Sequence, residues 1–176
     1  SIVPMHIWTP DVYEAAPTSV VAVFSIIPKL AALVFLIRGV SYITDAEFQM
    51  LFLQAISWMA IVTMFFGNLA AIWQKNPKRM MAYSSIAHAG FLIIAVVVNN
   101  QFGWHSIMFY SVVYALMNLG TFYFIACMER NNLNEISDYA GIGKMSPIVG
   151  VSLVILMISL TGLPPTGGFS AKFLVF

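Results

Sequence analysis

Two lysines, Lys29 and Lys172, stand where a charged side chain is least expected. Lys172 follows Gly162-Leu163-Pro164-Pro165-Thr166-Gly167-Gly168-Phe169 near the end of a long apolar run, and Lys29 follows Pro28 directly inside another. An ammonium at the centre of a bilayer costs about 2.5–3.5 kcal/mol even on the lenient insertion scale. The Pro-Pro-x-Gly-Gly stretch frees backbone carbonyls from helical pairing, which is tolerated at membrane depth only inside protein or along a wet path. Two such lysines, each near a helix-breaking proline, point to a proton or cation path rather than a lipid anchor. The alternative is snorkelling, in which the ammonium reaches the headgroups and does nothing else. Lys29 lies too near the middle of its apolar run for that, with Ser25 one turn away on the same face.

The acids sharpen this reading. All seven, Asp11, Glu14, Asp45, Glu47, Glu129, Glu135 and Asp138, fall in loops or at segment ends. Neither lysine therefore has a carboxylate at its own depth. An amine taken out of water without a counter-ion exchanges its proton more readily than one in water. A carboxylate from elsewhere in the chain or from another subunit would control its charge by approaching and withdrawing.

Three further polar positions share that depth. His88 lies mid-segment with Ser84 one turn before it, and reads either as a neutral histidine satisfied by a neighbouring helix or as a candidate proton relay. Tyr114 and Asn118 are four apart on one face of the next segment, as polar glue between helices or as part of a water chain. His105 follows Trp104 at a segment end and reads as interfacial, and His6 has no assigned role. Lys29, Ser84/His88, Tyr114/Asn118 and Lys172 come from four segments. Facing one another avoids facing hydrocarbon, so the expectation is a polar file along the membrane plane.

The elements that must position these groups are membrane helices. The 176 residues are 60% hydrophobic and 9% charged, with a mean hydropathy of +0.87, against about 25% charged in a soluble domain. So little charge cannot cover a soluble globule, and the expectation is one polytopic, all-α transmembrane unit over residues 1–176. A net charge of +1 argues against nucleic acid as a partner. Cys127 is the only cysteine, so neither an intrachain disulfide nor a Cys/His metal site is expected.

Apolar segments run over 17–38, 48–73, 79–98, 105–128 and 146–162, the last resuming at 169–176. A shorter piece, 2–14, is too polar and too broken by Pro4 and Pro10 to span lipid, and reads as part of an interrupted helix or an interfacial turn. Alternate connectors place Lys75, Lys78, Arg79, Arg130 and Lys144 on one side and only Arg38 on the other, so the first side is expected to be cytoplasmic. Trp73 and Trp104 sit at segment ends, as interfacial indoles do, while Trp58 is expected to pack against another helix. The chain starts at Ser1 and stops at Phe176 inside an apolar run, so a fragment of a longer chain is expected.

Three runs carry a resemblance. His6-Ile7-Trp8-Thr9-Pro10-Asp11-Val12-Tyr13-Glu14-Ala15-Ala16-Pro17-Thr18, Lys78-Arg79-Met80-Met81-Ala82-Tyr83-Ser84-Ser85-Ile86-Ala87-His88-Ala89-Gly90 and Thr161-Gly162-Leu163-Pro164-Pro165-Thr166-Gly167-Gly168-Phe169-Ser170-Ala171-Lys172-Phe173 resemble signatures of the antiporter-like membrane subunits of respiratory complex I. The resemblance covers essentially the whole chain, and Trp-Thr-Pro-Asp-Val-Tyr-Glu is most similar to the N-type branch. Two positions depart from the family pattern: Ala15 replaces a common glycine, and Asn118 stands where the L and M branches carry a lysine. The second departure favours the N-type and weakens a proton-carrying role for Tyr114 or Asn118.

The resemblance implies an antiporter-like helix bundle running from the end of the family's first broken helix into its second. It implies that Lys29 and Lys172 are the proton-transfer lysines of helices eight and twelve, with His88 as a candidate relay. It also implies a proton-translocating subunit of NADH:quinone oxidoreductase in the bacterial inner membrane, in contact with other membrane subunits and, indirectly, with a peripheral redox arm. No redox chemistry and no cofactor are expected in this chain, since no flavin, iron–sulfur or nucleotide motif is present. A Mrp-type cation/proton antiporter subunit, a hydrogenase-linked membrane subunit and a non-conducting structural subunit with static lysines remain the alternatives.

Overall fold

The computed structural model describes residues 1–98 and 100–175. Among these the architecture is entirely helical, and α5 lies at its centre. The elements are α1 Trp8–Ala15, α2 Thr18–Phe24, α3 Ile27–Tyr42, α4 Ala46–Ile72, α5 Pro77–Val97, α6 Gln101–Glu129, α7 Ile142–Met145, α8 Pro147–Thr161 and α9 Gly167–Val175, with a 3-10 turn at Ile136–Tyr139 between α6 and α7. Thr18–Tyr42, Ala46–Ile72, Pro77–Val97 and Phe102–Glu129 are each long and apolar enough to cross a membrane, and Pro147–Thr161 is a shorter apolar helix.

Side chains before each long helix set where it begins. Asp45 accepts hydrogen bonds from the Glu47 and Phe48 amides at the head of α4, and Asn76 from the Lys78 and Arg79 amides at the head of α5. Asn100 accepts from the Gly103 amide at the head of α6. Pro77 and Pro147 occupy first-turn positions, where a missing N–H costs nothing.

Helix α4 packs along α5 through Ile56, Ala60, Thr63 and Gly67, all buried. A Cβ on Gly67 would come 2.7 Å from the Ala87 backbone nitrogen, so the close approach depends on that glycine. Trp58 is out of phase with this stripe and 69% exposed. Among the described residues it takes no part in the α4–α5 contact, because the α5-facing positions of α4 recur three and four apart and exclude residue 58.

The first piece is helical from Trp8, with Thr9, Pro10 and Tyr13 buried, and α1 lies against α5 as a short helix within the bundle. The next span is itself interrupted. Helix α2 ends at Phe24 and α3 begins at Ile27, with Pro28 in its first turn. Lys29 therefore sits in the first turn of α3, just past the interruption.

At the charged end, Lys78 pairs with Glu129 (3.0 Å), and Arg79 pairs with Glu14 (2.7 Å) and Asp11 (3.2 Å). Thr18 donates to Glu129, and the Ile136 amide donates to the Lys75 carbonyl (3.0 Å). These contacts gather α1, α2, α5, α6 and the loop after α6 at one end of the bundle. That grouping matches the side on which the sequence places Lys75, Lys78, Arg79 and Arg130.

Candidate functional site

The site is built on α5, which presents Ser85, His88 and Phe91 at successive turns of one stretch. Lys29 reaches it from the start of α3. Its Nζ donates to the Ser85 carbonyl (2.6 Å), to the Ser85 hydroxyl and to the Tyr114 hydroxyl (3.0 Å). Three acceptors match the three donors of an ammonium. The same nitrogen lies 4.9 Å from the centre of the Tyr114 ring. Among the described residues no carboxylate pairs with Lys29 or with Lys172.

Tyr114 and Asn118 both come from α6 and are 1% exposed. Asn118 Nδ2 donates to the Tyr114 hydroxyl (3.0 Å) and to the Ser25 hydroxyl (2.6 Å), and Ser25 in turn donates to the Ala22 carbonyl (2.7 Å). On the other side of Lys29, a hydrogen bond of 3.2 Å joins Ser85 Oγ to the hydroxyl of Tyr13 in α1. The interruption between α2 and α3 thus brings Ser25 and Lys29 to the same polar cluster from two short helices.

His88, one turn along α5, is buried and shares a 2.6 Å hydrogen bond with the Tyr110 hydroxyl through Nδ1. Its ring lies 5.1 Å from that of Tyr114 and 6.4 Å from that of Phe91. Lys172 is held at the far end. Its Nζ donates to the Leu160 (3.1 Å) and Thr161 (2.9 Å) carbonyls and lies 4.8 Å over the Phe91 ring. A cavity of about 330 Å³ lies between α4, α5, α8 and α9, with Asn68, Ser84, His88, Thr161 and Lys172 in its wall.

The local sequence explains how Lys172 reaches those carbonyls. Helix α8 ends at Thr161, and Gly162 caps it with φ +83°. Its amide and that of Leu163 both turn back to the Ile158 carbonyl, a C-terminal closure that needs a residue free of a Cβ penalty. A side chain at Gly162 would also come 2.8 Å from Lys172 Cδ. The helix resumes at Gly167, where the Gly168 amide donates to Ser159 Oγ (3.2 Å). The break expected over Leu163–Gly168 thus covers Gly162–Thr166, and Lys172 stands just beyond it.

The structure brings Lys29, Tyr114 and Asn118 into one hydrogen-bonded cluster, and places His88 between that cluster and Phe91, on which Lys172 rests. Ser85, rather than Ser84, is the α5 serine that meets Lys29, and Ser84 faces the Lys172 cavity instead. The anchor points of the two lysines on α5, Ser85 and Phe91, are six residues apart, about 9 Å of helical rise. His6 packs edge-on against Phe66 (4.5 Å) and His105 is exposed, so neither joins the cluster. Tyr13, Ser85 and Tyr110 were not singled out in the sequence. For Tyr110 a signal existed, because it precedes Tyr114 and Asn118 on one stripe at four-residue spacing.

Comparison with known proteins gives this arrangement a family. The transmembrane family of NADH:quinone oxidoreductase and Mrp antiporters matches residues 1–176, and the chain belongs to that family. NADH-quinone oxidoreductase subunit N 1 of Thermodesulfovibrio yellowstonii is 44% identical over 183 residues, covering 100% of this chain and 38% of its own length. Subunit N of Parvibaculum lavamentivorans is 43% identical over 178 residues, covering 100% and 37%. The chain thus spans little more than a third of the length of these curated relatives. Among solved structures, a chain of respiratory complex I from Thermus thermophilus superposes with a TM-score of 0.80 at 32% identity, over 99% of this chain and 38% of that one. A chain of the archaeal membrane-bound sulfane sulfur reductase superposes with a TM-score of 0.92 at 30% identity, over 99% and 36%. A multi-pass transmembrane helix bundle of the antiporter-like type is therefore the fold of this chain.

Proposed function

We propose that this chain is the proton-translocating core of an N-type membrane subunit of NADH:quinone oxidoreductase in a bacterial inner membrane. Electron transfer takes place in other subunits and reaches this one as a change of field or conformation, and no cofactor is held here. Lys29 and Lys172 carry the proton, with His88 as the group between them. The observation that carries this reading is the setting of Lys29, an amine inside the bundle whose three donors meet only neutral acceptors. Such a group responds strongly to any charge brought near it, because nothing on its own helices offsets that charge. Identity above 40% to subunit N relatives along the whole chain supports the respiratory complex over the Mrp-type antiporter. The sulfane sulfur reductase likeness supports a redox-driven membrane complex more broadly.

The test is NADH-driven proton uptake by vesicles carrying the intact chain with Lys29→Ala or Lys172→Ala, normalised to assembled complex. Both variants are expected to assemble and to lose most of their pumping. Wild-type pumping in both would make this a non-conducting structural subunit. Purification without peripheral redox subunits would favour the antiporter.

A further inference from the structure

The acceptors around the two lysines differ in kind. Lys172 donates to two backbone carbonyls, which accept hydrogen bonds and have no proton to pass on. Lys29 meets two hydroxyls, which accept and donate at once. Of the two branches leaving Lys29, the one through Tyr114 runs into the amide of Asn118, then Ser25, then the Ala22 carbonyl. An amide N–H does not exchange its proton along a hydrogen-bonded chain as a hydroxyl does, so this branch positions and does not conduct. The other branch consists only of hydroxyls, Ser85 and then Tyr13.

Tyr13 and Lys29, with Thr9, also line an open groove of about 780 Å³ whose wall is otherwise mostly apolar, Trp8, Val12, Phe24 and Phe35 among it. Thr9 and Tyr13 lie four apart on one face of α1. Thr9 Oγ1 is buried and without a hydrogen-bond partner among the described residues. A buried hydroxyl of this kind is ordinarily satisfied by water. Glu14, next to Tyr13, pairs with Arg79 at the charged end of the bundle, so the branch leads toward the side of Lys75, Lys78 and Arg79.

We propose that Tyr13 and Ser85 form the proton relay that loads Lys29, with Ser85 the catalytic hydroxyl and Tyr13 acting through it. A proton carried by water beside Thr9 and Tyr13 passes to the Tyr13 oxygen as Tyr13's own proton passes to Ser85 Oγ and that of Ser85 to the lone pair of neutral Lys29 Nζ. Each O–H broken is matched by one formed, and the net change is one N–H on Lys29. The inference rests on the proton-translocation reading and adds the route by which this lysine is charged.

The experiment measures NADH-driven proton uptake in vesicles containing the full chain in its assembled complex, with Tyr13→Phe, Ser85→Ala, Ser85→Thr, Tyr114→Phe and Lys29→Ala side by side. Tyr13→Phe and Ser85→Ala are each expected to lower uptake per assembled complex by about tenfold, the scale of losing one positioned proton-transfer group at its lower end. Ser85→Thr, which keeps the hydroxyl, restores most of it. Tyr13→Phe/Ser85→Ala together are expected to be no worse than either alone, since both break one path, whereas two structural defects would add. Tyr114→Phe is expected to cost less than either. Normal uptake in Tyr13→Phe with Lys29→Ala impaired overturns the relay and leaves the proton-translocation reading standing. Additive losses, or failure of Ser85→Thr to restore uptake, also overturn it. Normal uptake in Lys29→Ala removes the reading on which it rests.

Discussion

At the scale of single residues, the pocket around Lys29 is shaped for a compact ammonium. Its three acceptors, Ser85 O, Ser85 Oγ and Tyr114 OH, converge on one point. A guanidinium is planar, carries five donors in a fixed fork and stays protonated at any working pH. Lys29→Arg is therefore expected to assemble and to fail in proton uptake as Lys29→Ala does, and normal uptake in Lys29→Arg would show that a fixed positive charge is all this position supplies. Assembly should survive Lys29→Ala, because Ser85 Oγ keeps its bond to Tyr13 and the Tyr114 hydroxyl keeps that from Asn118. Lys29, Lys172 and His88 were legible in the sequence because an ionisable group inside an apolar run is costly and rare. Tyr13, Ser85 and Tyr110 were not, because a hydroxyl in a helix is cheap and common. Ser84 and Ser85 differ in direction by about 100° around the helix axis, and only the packing of α3 on α5 decides which of them meets the lysine.

At the scale of elements, the break between α8 and α9 is held open by glycines with different duties. Gly162 takes the left-handed turn and leaves room for the Lys172 stem, while Gly168 lets α9 touch the Ser159 backbone. Gly168→Ala would drive its methyl into the Ser159 carbonyl and push α9 from α8. The expected cost is about 1–3 kcal/mol, the range for forced overpacking, read as a lower unfolding temperature of the purified complex, together with impaired proton uptake because Lys172 moves with α9. Unchanged stability and uptake in Gly168→Ala would mean that the two helices can part without consequence. The interruption was legible because two prolines and two glycines in six residues cannot sustain helical pairing. Its limits were not, because a glycine at the first position of a helix is tolerated and α9 starts on one. The split of the second segment into α2 and α3 was legible only as a loosening at Pro28. The chain turns three residues earlier, where Ser25 bends in to meet Asn118, a partner 93 residues away.

At the scale of the whole molecule, orientation follows from where the charge sits and what the ends are tied to. The Ile136 amide on the Lys75 carbonyl and the ion pairs of Lys78 and Arg79 bring the loop after α4 and the loop after α6 to the same end. Three acids, Asp11, Glu14 and Glu129, neutralise part of the positive charge at that end. Membrane orientation follows the lysines and arginines of short loops rather than net charge, so this end is still expected to face the cytoplasm. The connector between α3 and α4 lies at the other end and carries Asp45 with no lysine or arginine past Arg38. Thr44 and Asn134 are exposed, one at each end. In an otherwise cysteine-free full chain, Asn134→Cys is expected to react with a membrane-impermeant thiol reagent only from the cytoplasmic side, and Thr44→Cys only from the opposite side. Reaction of both from one side would break the alternation of spans on which the fold reading depends. Exchange of the two sides would place the mouth of the Tyr13–Ser85–Lys29 chain on the far face of the membrane, and the direction in which Lys29 is loaded would reverse with it.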